Sequence, residues 1–312
     1  MNTMHQSSLG PPGSDGVVWT NGPGGLPFLG VETDRCRARL TSYGAQICEW
    51  IPAGESPVLY VSPHAVFAAG TPIRGGVPIS FPWFASHPTD PSKPAHGFAR
   101  TRTWQVIEVT RETTGDVRVV LRLKADDDTR ALWASTFSLS LTVSLGATLA
   151  MTAEVENVGH EPVVYELAMH TYLAVGDVEA VSIRGLEGTR FVDKVDGGKG
   201  KVASGEPLRI AGETDRVFLD TTAACVVDDP VMARRLRVEK RGSHATVVWN
   251  PGRDRARAMR DIGEDGWRGF VCVETANVGP HAVRLAPGAR SAMTTQIEVM
   301  PRPEEILPSP PR

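Results

Sequence analysis

The chain has 312 residues, of which 33 are basic and 36 acidic, so its formal net charge is −3. This balance provides no overall field that would attract nucleic acid or an anionic membrane, and any anion must be bound by a few placed groups. No apolar run approaches the roughly 18 residues that a membrane-spanning helix requires, and the first residues lack the apolar core of a signal peptide. We therefore expect a soluble, cytoplasmic protein without nucleic-acid or membrane partners.

Alternation of apolar and polar residues with a period of two dominates the sequence, which is typical of strands with one buried face. The clearest case is a hairpin in which Phe137, Leu139 and Leu141 share one face and the pattern resumes after a turn at Gly146. The helical pattern is plausible only at 254–262. In chain order, strands are predicted at 37–40, 46–51, 104–110, 117–123, 137–145, 149–155, 163–175, 181–184, 245–249, 269–276 and 293–299.

So many strands without intervening helices predict an all-β chain, a large and mostly antiparallel β-sandwich or barrel with few short helices. No compositional break or repeat divides the chain, so we expect one domain over 16–300. Segments 1–15 and 301–312, the second rich in proline, are expected to be flexible. The four cysteines show neither CxxC nor metal-ligand spacing and are expected to be reduced thiols.

His170 and Glu274 lie on two of the predicted strands. In VVYELAMHTYLAV, alternation places His170 on the less apolar face, where an imidazole can transfer protons near neutral pH if that face lines a cleft. In GFVCVETANV, Glu274 is either buried with partners or at a strand end facing a site, because an unpaired buried charge is costly. A half-exposed histidine and a surface glutamate are the alternative interpretations.

Arginines and a second histidine lie in irregular segments. Arg74 follows GTPI and precedes two glycines, and His96 and Arg100 stand four positions apart in PAHGFARTR. Two arginines together offer planar donor forks suited to a phosphate or a carboxylate. Ordinary surface charge around a turn is the alternative.

Asp193, in GTRFVDKVDGG, could accept hydrogen bonds from sugar hydroxyls or could be a turn residue before Gly197. The sequence contains no GxSxG, HExxH or GxxxxGK[ST] motif, so nucleophilic hydrolysis, a zinc site and a nucleotide phosphate loop are unsupported. We expect no metal and no other cofactor.

Six segments, taken together, resemble the hexose-6-phosphate mutarotase branch of the aldose 1-epimerase superfamily, whose members are also called glucose-6-phosphate 1-epimerases. They occur in the family's order and cover most of the chain from Val31 to Val299. The sequence departs from the family pattern at Ala95, Phe191 and Gly252. The segments are PIRGGVPISFPWF, PAHGFARTRTW, LAMHTYLAV, GLEGTRFVDKVDGG, VVWNP and FVCVETANV.

The resemblance implies a single antiparallel β-sandwich of the galactose-mutarotase type and an enzyme that interconverts sugar anomers. His170 and Glu274 match the catalytic histidine and glutamate. The substrate-binding residues that it implies are Arg74, His96, Arg100 and Asp193. It implies a hexose 6-phosphate as substrate, glucose 6-phosphate before others, and we expect a monomer.

Anomer exchange requires a base for the C1 hydroxyl and an acid for the ring oxygen, and Glu274 and His170 fill these roles. For the cycle to start, the histidine is expected to be protonated and the glutamate ionised, with an ordinary pKa. Two alternatives stay open: a mutarotase of unphosphorylated aldoses, and a non-catalytic carbohydrate-binding module on the same fold. A neutral sugar does not need the arginine pair, and a binding module does not need both His170 and Glu274.

Overall fold

The computed structural model describes residues 16–302. The predicted flexible segment 1–15 lies outside these residues, as does most of the second one. At the end of the described part, Pro301 closes the last strand and the Arg302 side chain forms an ion pair with Asp228 at 3.1 Å. No helix among the described residues is long and apolar enough to cross a membrane.

Strands make up most of the regular structure, with two α-helices, α1 (Asp127–Leu132) and α2 (Gly252–Ala258), within residues 16–302. In chain order the strands are β1 (Val17–Asn21), β2 (Pro27–Glu32), β3 (Cys36–Thr41), β4 (Gln46–Pro52), β5 (Ile79–Ser80), β6 (Gln105–Arg111), β7 (Val117–Lys124), β8 (Phe137–Leu145), β9 (Thr148–Asn157), β10 (Val163–Tyr165), β11 (Leu167–Met169), β12 (Tyr172–Ala174), β13 (Ser182–Arg184), β14 (Arg190–Asp193), β15 (Lys199–Val202), β16 (Leu208–Arg209), β17 (Thr214–Phe218), β18 (Cys225–Asp229), β19 (Arg234–Arg241), β20 (Ala245–Asn250), β21 (Phe270–Asn277), β22 (Val283–Leu285) and β23 (Arg290–Pro301).

Two large sheets form the body of the molecule, and the pairings between their strands are antiparallel. The nine-stranded sheet has the order β16-β13-β18-β19-β23-β9-β8-β7-β6. The eight-stranded sheet has the order β15-β14-β17-β20-β21-β11-β5, with β12 also paired to β21. One hydrophobic cluster takes residues such as Leu141 from the first sheet, Val271 from the second and Leu29 from a smaller sheet of β1 to β4. This shared core confirms the predicted antiparallel β-sandwich.

The predicted hairpin is confirmed as β8 and β9. Its alternation appears directly in burial, since every second residue of β8 from Phe137 to Leu145 is buried and the serines and threonine between them are half-exposed. The register sets Leu141 opposite Ala153, so the apolar positions of both strands face the same core.

Three expectations about elements differ from the structure. The predicted strand 163–175 is divided into β10, β11 and β12, with Glu166 between the first two and His170 and Thr171 between the last two. The predicted helix 254–262 begins earlier and ends at Ala258. Strands β13 to β19 lie largely in segments where charged residues obscure the alternation, and only β13 among them was predicted.

Candidate active site

A pocket of about 300 Å³ lies against the eight-stranded sheet, on the face that carries Val247 and Glu274. It combines residues that are far apart in the sequence, from the segments around Arg74, His96 and His170 and from strands β17, β20 and β21. Its charged and titratable lining residues are Arg74, His96, Arg100, His170, Lys194, Asp215, Arg255 and Glu274. Five of the six predicted site residues therefore share one cavity.

The strand register brings His170 and Glu274 together. β11 sets Met169 opposite Thr275 and β12 sets Tyr172 opposite Cys272 on the same strand, β21. The two registers agree, so His170, in the gap between β11 and β12, stands opposite Glu274. Its Nδ1 lies 3.4 Å from Oε1 of the glutamate.

Both side chains are buried, with 6% of His170 and 1% of Glu274 exposed. Neither carboxylate oxygen of Glu274 has a hydrogen-bond partner among the described residues, and neither does Nδ1 of His170. Buried polar atoms normally have partners, so these three are available to a ligand that brings hydroxyl groups. The interpretation of His170 as a half-exposed strand residue does not hold.

The pKa shifts of the pair run against the protonation state expected from the sequence. Burial raises the pKa of Glu274 well above its ordinary value, and the nearby Asp215 carboxylate raises it further. Burial also lowers the pKa of His170 well below its ordinary value, and the neighbouring His96 adds to this. Removal from water disfavours the charged form of each group, so both shifts are toward the neutral pair, in which Glu274 carries the proton.

The neutral pair and the ion pair contain the same number of protons. Moving one proton from the carboxyl of Glu274 to the imidazole of His170 converts one form into the other. The positive charges of Arg100 and Arg74 lower the pKa of His170, and the charges of Lys194 and Arg100 also lower the pKa of Glu274. The cations therefore act on both ends of this proton transfer, since they disfavour the imidazolium and favour the carboxylate.

His96 is a neutral hydrogen-bond donor to the pocket. Its Nδ1 accepts from the backbone N–H of Ala85 at 3.4 Å and lies 3.3 Å from the Ser80 hydroxyl, so the ring proton is on Nε2. Burial lowers the pKa of His96 well below its ordinary value, and the Arg100 charge adds to this. The ring centres of His96 and His170 are 5.6 Å apart.

The two predicted arginines differ in how they are held. Arg74 donates from Nε to Asp261 and from a terminal nitrogen to the Tyr172 hydroxyl, both at 2.9 Å. Arg100 donates to the carbonyl of Ala95 at 2.7 Å, and its buried Nε has no partner among the described residues. Burial lowers the pKa of Arg100 to about 10, which still leaves it protonated at neutral pH. Arg100 is therefore the less neutralised cation.

Asp193 is the one predicted site residue that does not line the pocket. Its carboxylate accepts from Lys201 at 2.9 Å and lies 3.8 Å from Nε of Arg216. The register sets Val192 opposite Val217 and Asp193 opposite Arg216, so Asp193 points to the other face of the sheet from Val217. The geometry gives it a structural ion pair.

The carboxylate that reaches the pocket from this region is Asp215. It stands opposite Trp249 on β20, whose neighbour Val247 is opposite Glu274, so Asp215 and Glu274 share a face. Burial raises its pKa, which the Lys194 ammonium opposes. Lys194 also lines the pocket, and its Nζ lies 4.4 Å from the Phe84 ring centre.

Sequence reasoning missed Asp215, Lys194 and the tyrosine beside His170. The signal for Asp215 was present in TDRVF, where Asp215 and Val217 alternate with charged Arg216, but that segment was not recognised as a strand. Lys194 follows Asp193 directly and takes the opposite face. Nothing in the sequence indicated that Tyr172 would contact Arg74.

A second groove of about 480 Å³ crosses the outer side of the nine-stranded sheet. It is lined by the half-exposed polar residues that alternate with the core, such as Arg122, Ser140 and Glu154. These side chains bond to one another or to neighbouring charges, as between Arg122 and Ser140. Within residues 16–302, no group of three or more His, Cys, Asp or Glu side chains could hold a metal ion.

The chain is similar to several known proteins over most of its length. Residues 29–298 match the family model described as Aldose 1-epimerase. An Escherichia coli K12 protein named "Putative glucose-6-phosphate 1-epimerase" is 35% identical over 251 residues, which is 80% of this chain and 83% of its own length. A protein of the same name from Cenchrus ciliaris is 31% identical over 277 residues, 85% of this chain and 82% of its own. The crystal structure of YeaD from Salmonella typhimurium is similar, with a TM-score of 0.83 and 31% identity over 89% of this chain and 91% of that chain.

Proposed function

Since the chain belongs to the aldose 1-epimerase family, we propose that it interconverts the α and β anomers of hexose 6-phosphates, glucose 6-phosphate in particular. The observation that carries the proposal is the facing pair of His170 and Glu274, buried in a pocket with an excess of cations. A proton donor and a proton acceptor on one hemiacetal are what ring opening requires. Arg74 and Arg100 supply the positive charge and the N–H donors that bind a phosphate.

Glu274 acts as the base and His170 as the acid. In the ion-pair form, the carboxylate of Glu274 accepts the proton of the C1 hydroxyl while the imidazolium of His170 donates a proton to the ring oxygen. The bond between C1 and the ring oxygen breaks, leaving an aldehyde, a hydroxyl at C5 and the neutral pair. Rotation about the C1–C2 bond and the reverse transfers give the other anomer.

The remaining polar groups orient the sugar. The Nε2–H of His96 donates to a sugar oxygen, and the Asp215 carboxylate accepts from ring hydroxyls. Arg100 and Arg74 bind the 6-phosphate, which carries about −1.5 to −2 charges near neutral pH. That charge offsets the arginines' effect on the pKa of His170 and so makes the imidazolium easier to form.

We also propose a monomer in the cytoplasm. A dianionic sugar phosphate does not cross membranes freely, so an enzyme that acts on it is expected in the compartment where the substrate is made. One domain is supported by the single core that both large sheets share.

Arg100→Ala provides the test of the phosphate role. We expect kcat/KM for glucose 6-phosphate to fall at least about tenfold, because a charge-assisted hydrogen bond to the phosphate is lost, while kcat/KM for free glucose changes little. The measurement is anomer exchange followed by polarimetry or by NMR, starting from pure α anomer.

Arg102→Ala is the matched control. This arginine is two residues away, is paired with Asp128 at 2.9 Å and does not line the pocket. Its loss should therefore leave kcat/KM unchanged for both substrates. If Arg100→Ala and Arg102→Ala behave alike on glucose 6-phosphate, the phosphate role is wrong. If the wild type does not accelerate exchange of either sugar over buffer, the enzyme proposal itself fails.

A further inference from the structure

Tyr172 stands between the cation that binds the phosphate and the imidazole that transfers protons. Its hydroxyl accepts a hydrogen bond from Arg74 at 2.9 Å. Its ring stacks on the ring of His170, with centres 4.8 Å apart and planes inclined by 10°. The side chain is 1% exposed, so these contacts are not shared with solvent.

The tyrosine cannot shift independently of either neighbour. Its backbone N–H donates to the carbonyl of Gly76 and its carbonyl accepts from Tyr60, which ties β12 to the segment that follows Arg74. Its ring packs against Phe270, with centres 5.1 Å apart. One rigidly packed side chain therefore makes both the hydrogen bond with Arg74 and the stacking contact that holds the orientation of the His170 ring.

Asp261 holds Arg74 from the other side. Its Oδ2 accepts from Nε at 2.9 Å, in the turn that follows α2. The guanidinium thus donates to a carboxylate on one side and to a phenol on the other, and its remaining N–H groups are left for an anion. Asp261 does not itself line the pocket.

We propose that Tyr172 is a positioning residue that couples binding of the substrate's 6-phosphate at Arg74 to the orientation of the His170 ring, with Asp261 as the anchor of that link. The inference rests on the proposed function and adds to it. Phosphate binding energy is then used to orient the acid, so it raises kcat as well as affinity. A phosphate site that only bound substrate would affect KM alone.

Tyr172→Phe tests the link, because it keeps the stacked ring and removes only the hydroxyl. We expect kcat for glucose 6-phosphate to fall about tenfold, the size of one hydrogen bond to a charged group, with KM changed less than about threefold. For free glucose, which has no phosphate to couple, kcat/KM should fall clearly less. Tyr165→Phe is the matched control, since Tyr165 is equally buried and lies outside the pocket.

The pair Asp261→Ala and Asp261→Asn tests the anchor. Alanine removes the acceptor of the Nε–H bond and should reproduce the loss of kcat for glucose 6-phosphate. Asparagine keeps an oxygen acceptor and should restore at least half of that loss. Thermal unfolding of each variant identifies any general loss of folding. Such a loss would lower kcat for both substrates together.

The outcomes separate the two proposals. Equal losses of kcat for both sugars in Tyr172→Phe would show that the hydroxyl acts independently of the phosphate, and a rise in KM alone would make it a binding group. Either result overturns the coupling. If the wild type has the same kcat/KM for glucose 6-phosphate and glucose, the proposal of a phosphorylated substrate is overturned, and the coupling with it.

Discussion

Whether a single residue lines this pocket depends on the face of the strand that it occupies. Asp193 and Asp215 lie on neighbouring strands, and each adjoins a basic residue, Lys194 or Arg216. Only Asp215 and Lys194 face Glu274, because alternation sends Asp193 and Arg216 to the opposite side of the sheet. A shift of one position in a strand therefore separates a structural ion pair from a group that lines the pocket.

We expect Asp215→Asn to lower kcat/KM for glucose 6-phosphate by about tenfold to a hundredfold, because the acceptor of a sugar hydroxyl's hydrogen bond loses its charge. Asp193→Asn should lower it less than about threefold, and its main effect should be on the ion pair with Lys201. Steady-state anomer exchange on both purified variants measures this. A larger loss for Asp193→Asn than for Asp215→Asn would contradict the assignment from strand faces.

Burial also decides protonation at this scale. The residue types alone suggest an ionised glutamate and a protonated histidine near neutral pH. In the folded chain, desolvation moves the pKa values of Glu274 and His170 toward the neutral forms. The amount of water around a carboxyl is a property of the assembled pocket, so residue identity could not supply it.

At the scale of elements, short breaks in the strands place the chemistry. His170 lies between β11 and β12, and its N–H donates to the carbonyl of Pro78, the residue before β5. The registers of β11 and β12 on β21 agree, so the strands on both sides hold His170 opposite Glu274.

The turn after Arg74 depends on Gly76. Its φ is +62°, and a Cβ there would lie 2.1 Å from the carbonyl oxygen of Ile47. Gly76→Ala should therefore lower the free energy of unfolding by about 2 to 4 kcal/mol and raise KM for glucose 6-phosphate, because the turn also positions Arg74. Urea unfolding and steady-state kinetics measure the two effects.

Gly188→Ala is the control for Gly76→Ala. Gly188 has a similar φ of +69° but no heavy atom within 4 Å of a built Cβ, so only the backbone strain of about 1 to 2 kcal/mol applies. The KM of Gly188→Ala for glucose 6-phosphate should not change. Equal destabilisation by the two alanines would show that the contact with Ile47 is not decisive.

At the scale of the whole molecule, one buried arginine joins the three main sheets. Arg234 begins β19 in the nine-stranded sheet and is 4% exposed. Its guanidinium donates to the carbonyls of Ser56 and Pro57, which follow β4, and of Ala174 in β12, at 2.8 to 2.9 Å. The bonds satisfy carbonyls where three layers meet, at a point remote from the pocket.

Arg234→Met should lower the free energy of unfolding by about 3 to 5 kcal/mol, because three buried carbonyls lose their donor. KM for glucose 6-phosphate should stay unchanged at a temperature where the variant is folded. Arg235→Met, which removes only a partly exposed ion pair with Asp228, should cost about 1 kcal/mol or less. Similar midpoints for the two variants in chemical unfolding would contradict a joining role for Arg234.

The strand alternation was sufficient to identify the fold class and the β8–β9 hairpin, because burial of one face imposes a period of two on the residues themselves. The same alternation and the family's motifs together identified five candidate site residues that line one pocket. They are His170, Glu274, Arg74, His96 and Arg100. It failed in β14 to β19, where ion pairs on the exposed face hide the period. There only Asp193 was a candidate, and Asp215 was not considered.

The sequence alone therefore established a β-sandwich, a family and most of the chemical groups, since these follow from local pattern and residue type. Only the tertiary structure decided which aspartate lines the pocket, in which direction the pKa values of His170 and Glu274 shift and that Tyr172 contacts both Arg74 and His170. Each of these depends on strand register or on burial between segments about a hundred residues apart. Such relations are created when the sheets assemble, and no local stretch of the chain contains them.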